Sequence, residues 1–108
     1  MPDAVILVLT NVPDRDAALS LARALTEERL AACVNIGSPI DSMYHWRGEI
    51  ETAQEIPVTI KTRQALYPQV ERAIVAAHPY ELPEIIAVRL SDGYAPYLDW
   101  IAAETARP

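Results

Sequence analysis

Apolar and polar positions change period along this chain, and each change predicts an element. Ala4-Val5-Ile6-Leu7-Val8-Leu9 is an unbroken apolar run rich in branched residues, the pattern of a strand buried on both faces. Asn11-Val12-Pro13-Asp14 breaks that run as a turn, and Asp14 is placed to cap a helix. Ala18, Leu21, Ala22 and Leu25 then recur at i, i+3, i+4 and i+7, which predicts an amphipathic helix from Arg15 to about Glu28. Ala31 to Ile36 begins a second strand, which Gly37-Ser38-Pro39 should bend or bulge. Asp41 to Trp46 resumes extended structure, and Arg47-Gly48 reads as a hairpin turn with glycine supplying a positive φ. Glu49 to Thr62 returns as a third strand. In it Ile56, Val58 and Ile60 share one face and Pro57, Thr59 and Lys61 the other. Leu66, Val70, Ala73, Ile74 and Ala77 mark a second helix from about Gln64 to Ala77, stopped by Pro79. Ile85 to Val88 is a fourth strand, Ser91-Asp92-Gly93 a turn, and Tyr97, Leu98, Trp100 and Ile101 a short C-terminal helix from Ala95 to Glu104.

The order β-α-β-β-α-β with a terminal helix defines an α+β fold. The expected architecture is a ferredoxin-like sandwich, a four-stranded antiparallel sheet with helices on one face. Two helices leave the other face of the sheet bare, although the first and fourth strands are apolar on both sides. The second and third strands are also unusually long, so their hairpin, carrying Tyr44 and Trp46, should overhang the domain. Tyr44 and Trp46 stand at i and i+2 and share a strand face, where interface packing is the expected role; His45 faces the other way. These features predict a homo-oligomer, and a ring if the hairpin tip meets a different surface on its neighbour.

Composition narrows the class further. The 108 residues, 51% of them apolar and 22% charged, fit one ordered domain spanning residues 1–108. A net charge of −6 and scattered basic residues, Arg15 to Arg107, argue against nucleic-acid binding. No run approaches the ~20 apolar residues of a membrane span, no secretory leader pattern opens the chain, and a single cysteine, Cys33, forms no internal disulfide. A cytoplasmic protein is the expectation. Cys33, among Ala32, Val34 and Ile36, reads as a small buried hydrophobe.

The candidate chemistry concentrates in His78-Pro79-Tyr80-Glu81-Leu82-Pro83-Glu84. Two prolines stiffen a stretch that carries an imidazole, a phenol and two carboxylates. His78 falls at a helix C-terminus, where the dipole favours a purely structural imidazolium; as a ligand its neutral ring suits Cu, Zn or Ni. Glu81 reads as solvated or ion-paired, and Glu84, opening the fourth strand, as the better site residue. Lys61 points opposite to Ile60 at the end of the third strand. No zinc motif, P-loop, dinucleotide fingerprint or nucleophile elbow is present. A hydrolase using His78 and Glu84 as acid and base lacks an identifiable nucleophile or oxyanion donor, so a non-enzymatic protein is expected.

Five segments in order carry a resemblance to a known family: Glu28 to Ile36, Tyr44-His45-Trp46-Arg47-Gly48-Glu49-Ile50-Glu51, Ile60-Lys61-Thr62, His78 to Ile86, and Tyr97-Leu98-Asp99-Trp100-Ile101. Together they resemble the CutA divalent-cation tolerance family. The resemblance implies a tight homotrimer similar in architecture to PII-type signalling trimers, a cytoplasmic location, and a part in tolerance of copper and other divalent metals without catalysis. Some bacterial members place a cysteine where this chain has Thr10, and two adjacent histidines where it has Ala77 and His78, so of that copper set only His78 remains. The expected ligand residues are Lys61, His78, Tyr80 and Glu84, lining clefts between subunits, with His78 as the metal ligand for Cu²⁺ or another divalent cation. Tyr44, Trp46 and Trp100 are the expected interface residues. The alternative reading is a PII-like signalling or scaffold trimer that binds an anionic metabolite at Lys61, with the metal role indirect.

Overall fold

The computed structural model describes residues 3–106; Arg107, one of the scattered basic residues, lies outside them. The elements are β1 (Val5–Val12), α1 (Arg15–Glu27), β2 (Cys33–Ile36), β3 (Ile40–Trp46), β4 (Glu49–Arg63), α2 (Tyr67–Ala77, entered through a 3-10 turn at Gln64–Leu66), β5 (Ile86–Arg89) and α3 (Ala95–Glu104). One antiparallel sheet runs in the order β2-β4-β1-β5, with β3 also pairing with β4. The limb read as one strand divides into β2 and β3, which is why the sheet has five strands and not four. From Ile36 opposite Val58 to Ile40 opposite Glu55 the first limb advances four residues while β4 gives three. The surplus residue is the bulge expected at Gly37-Ser38-Pro39. A Cβ on Gly37 would come within 2.9 Å of the Pro57 ring, so glycine is required there by close approach.

Local chemistry sets the element ends. Asp14 caps α1 by accepting the Ala17 N–H at 2.8 Å, an interaction of about 1 kcal/mol. The helix closes in a Schellman motif: Leu30 N–H donates to the Leu25 carbonyl and Arg29 N–H to that of Thr26. Arg29 holds the left-handed position with φ 57°. At the hairpin tip Arg47 (φ 51°) and Gly48 (φ 83°) are both left-handed, the backbone of a type I′ turn.

Alternation along β1 and β4 then decides the layers. Ile6, Val8 and Val12 on β1, with Ile56, Val58 and Ile60 on β4, bury against Leu21, Leu25, Val70 and Ile74 of α1 and α2. Each such side chain contributes roughly 1.5–3 kcal/mol when fully buried. The opposite face carries Leu7 and Leu9, half-buried, and Ile86 and Val88, 51% and 49% exposed.

Here the structure fills part of the sheet face that two helices were expected to leave bare. Lys61 and Arg63 alternate with the core-facing Ile60 and Thr62, so they point away from α1 and α2. Both nevertheless reach α3 and the residue that ends it. Lys61 Nζ lies 3.4 Å from the Tyr97 hydroxyl, and the Arg63 guanidinium donates to the Thr105 hydroxyl and carbonyl, both at 2.9 Å. α3, with Ile101 fully buried, therefore covers part of the second face. The rest of that face and the hairpin remain open: Met43 is 74% and Ile50 65% exposed. The projecting hairpin stretches the molecule to 45 × 27 × 24 Å. No helix among the described residues is long and apolar enough to cross a membrane.

Candidate functional site

The stiff loop after α2 folds against the root of the hairpin, and His78 pins it there. Pro79 forces His78 out of the helical region (φ −80°, ψ 132°) while its N–H still caps the Ile74 carbonyl at 2.8 Å. Its Nε2 stands 2.6 Å from the Asn11 carbonyl at the end of β1, and Nδ1 accepts the Tyr80 N–H at 3.2 Å. These partners assign the Nε2–H tautomer of a neutral ring. Both nitrogens are thus engaged with backbone, and the ring packs on Tyr80 with centroids 4.6 Å apart.

Asn11 serves two segments at once. Its carbonyl receives His78, and its side-chain amide donates to Glu84 at 3.2 Å. Glu84 lies in the loop, two residues before β5 begins, and not at the strand's first position as expected. Glu81 is ion-paired: Arg47 Nη2 bonds both carboxylate oxygens at 2.9 and 3.0 Å, and the guanidinium also covers the Trp46 ring at 5.1 Å. This latch ties the hairpin tip to the loop. Because both partners are well exposed, it contributes at most about 1 kcal/mol.

Between hairpin and loop lies a cavity of about 650 Å³. Residues 42–46 of β3 line it from the hairpin and residues 80–82 with Glu84 from the loop, with Asn11 and Glu55 also lining it. Glu55 is only 9% exposed. The Tyr80 phenol is pushed up to about 12, first by burial and then by the charge of Glu55 and hydrogen bonding to it, with smaller contributions from Tyr44 and Asp14. Tyr80 therefore stays a protonated donor through the physiological range.

The structure brings His78, Tyr80 and Glu84 together but leaves Lys61 apart. Lys61 is six residues along β4 from Glu55, roughly 20 Å at strand rise. It sits in the row Cys33, Lys61, Leu7, Val88 across the sheet, beneath Tyr97. Cys33 is half-buried in that row and unpaired. Trp100 stacks on Tyr97 at 5.6 Å and is exposed, on the α3 side of the sheet. Tyr44 and Trp46 line the cavity itself. Thr10 faces the helix-covered core with its hydroxyl oxygen unpartnered among the described residues, away from the loop.

Glu55 and Asn11 were not singled out from sequence. Glu55 is one carboxylate in the acidic stretch of β4, and its burial depends on a loop 25 residues away. Asn11 gave a weak signal, a polar residue ending an apolar strand just before Pro13.

A resident metal ion does not fit the donors of one protomer. Among the described residues no three of His, Cys, Asp or Glu are grouped to hold one. His78 offers no free lone pair without breaking a backbone bond.

Fold and site define a class: a small α+β protein with one antiparallel sheet, three helices, and an aromatic, carboxylate-bearing crevice at the root of a projecting hairpin. Residues 6–104 match the family model described as CutA1 divalent ion tolerance protein, and the chain belongs to that family. It is 42% identical over 99 residues to the divalent-cation tolerance protein CutA of Thermus thermophilus, covering 92% of this chain and 96% of that protein. It is 39% identical over 105 residues to human protein CutA, covering 97% of this chain but 59% of the human one. The chain thus spans little more than half the length of that longer relative. Among solved structures, CutA from Xylella fastidiosa superimposes with a TM-score of 0.93 at 43% identity, over 95% of this chain and 99% of that one. CutA1 from Ehrlichia chaffeensis gives 0.92 at 31% identity, over 99% and 100%.

Proposed function

We propose that this protein is a non-enzymatic, cytoplasmic homotrimer of ferredoxin-like, PII-like architecture. It serves tolerance of divalent metal ions, copper among them, by binding cations or small ligands where its subunits meet. The family name supports the metal role. The observation that carries the assembly is the open apolar surface, Ile86 and Val88 on the sheet with Met43 and Ile50 on the hairpin, which a lone subunit would leave in water. Lys61 lies too far from the loop to share a crevice within one chain, so it joins His78, Tyr80 and Glu84 only across a subunit boundary. A metal ion would likewise take donors from more than one chain, since His78 is the sole imidazole of the loop.

Sedimentation and native mass spectrometry of the full chain are expected to give three subunits, and a monomer with no self-association overturns the reading. Calorimetry with Cu²⁺ and Zn²⁺ on wild type and His78→Ala tests the ligand. Weaker binding by the variant with the trimer intact supports His78 as a ligand; equal binding removes it.

A further inference from the structure

Glu55 and Lys61 share the face of the sheet that α1 and α2 leave uncovered, because they stand an even number of residues apart on the unbroken strand β4. That separation is six residues, roughly 20 Å at strand rise, too far for the two to pair within one chain. Between them the face is apolar. Leu7 and Val88 lie in the row of Lys61, and Leu9 and Ile86 in the next row toward Glu55. Each end of this strip carries a charge that meets no opposite charge. Glu55 is nine-tenths buried and takes its hydrogen bond from the neutral Tyr80 phenol. Lys61 is half-buried, and its ammonium meets the neutral Tyr97 hydroxyl and ring. Among the described residues neither forms an ion pair. Charges withdrawn from water are costly without a partner.

The other cations do not fit the vacancy at Glu55. Four arginines already hold carboxylates. Arg15 and Arg72 are exposed on α1 and α2, across the sheet. Arg89 stands opposite Ile6, on the helix-covered face, and bonds Gln64. Lys61 alone is half-buried, without a carboxylate, and on the open face.

We propose that this face is a bipolar docking surface for a second copy of the chain, in which Lys61 of one subunit enters the hairpin-root crevice of the next and pairs with Glu55. The giving end and the receiving end are different surfaces, so the contact is heterologous and closes a ring when repeated. Each crevice is then complete only with a neighbour's residue. Lysine suits the place, with three donors at the tip of a long stem that lies along apolar surface. The assignment rests on the oligomeric reading above and names the charge pair that orients it.

Dissociation of the full-chain oligomer in rising urea, followed by sedimentation, tests the pairing. Lys61→Met and Glu55→Gln are each expected to weaken the oligomer at least about tenfold, because each strands a buried charge. The double variant strands none and is expected to be no weaker than either single variant. Losses that multiply in the double variant overturn the proposal. So does an unchanged oligomer in either single variant, the result expected if a small anion holds Lys61 or a metal ion holds Glu55. Where Glu55→Gln does not fold, carbodiimide coupling of the wild type takes its place. Residues 48–63 contain both groups, so a tryptic peptide joined to a second copy of itself through Lys61 and Glu55 is expected, and it forms only between subunits. Coupling of Lys61 to another carboxylate, or to none, overturns the pairing while the oligomer stands. Failure of the wider reading shows separately, as a wild type that sediments as a monomer.

Discussion

The two ends of β4 are one continuous strand with opposite fates. From Ile56 to Thr62 every second residue is buried against α1 and α2, whereas from Glu49 to Gln54 nearly every residue is exposed although the ladder to β3 is complete. Backbone pairing separates them in part, since the inner end is bonded on both edges, to β1 and β2, and the outer end to β3 alone. What separates them further is apolar packing behind the strand, the dominant favourable term in folding. One end builds the core, and the other holds out a surface, Met43 and Ile50 included, for something else to cover.

Substitutions at the two ends should break that contrast most sharply. Ile60→Ala, at a fully buried position, is expected to destabilise the fold by about 2–5 kcal/mol in denaturant unfolding. Ile50→Ala should change subunit stability by less than about 0.5 kcal/mol yet shift the sedimentation profile toward smaller species. An Ile50→Ala loss equal to that of Ile60→Ala would show that the hairpin arm belongs to the subunit's own cooperative core.

The loop between the two regions should respond to a smaller degree. His78→Ala leaves the Asn11 carbonyl without its donor and is expected to cost about 1–3 kcal/mol. Exchange of the 79–85 amides should rise more than that of β4. Alkaline pH probes the same contact through Tyr80. Its pKa is raised by folding, so its contribution is fully present below about pH 10, the ordinary tyrosine value, and is lost as pH climbs through about 12. Phenolate absorbance should therefore lose its latest-titrating component in Tyr80→Phe, while Tyr67, raised by its hydrogen bond to Glu71, still titrates late. The smallest effect belongs to the hairpin-tip latch: Arg47→Ala or Glu81→Ala should cost under about 1 kcal/mol and vanish at high salt.

Much of the fold was legible because its signals are local. Asp14 caps α1 as its side-chain type foretold, Gly37-Ser38-Pro39 bulges, Arg47-Gly48 turns, and α3 spans Ala95–Glu104 as its apolar residues marked it. The site was legible in part. His78, Tyr80 and Glu84 lie within seven residues on a backbone stiffened by two prolines, so their grouping was nearly local too. Lys61 was not, because its face of the sheet was readable but its distance from the loop was not. The face taken by α3 was also hidden. Its Tyr97, Leu98, Trp100 and Ile101 are apolar in nearly consecutive positions, which marks a helix without pointing to one side.

The amino-acid order alone thus determined the strands, the helices, their caps and the stiff polar loop, because backbone sterics and apolar period act over a few residues. Tertiary structure decided that Glu55 would be buried beside Tyr80 and that α3 would pack on the second face. Those outcomes depend on which surfaces meet once distant segments pack, and apolar burial is non-directional until shape and neighbouring charge select among the ways of achieving it.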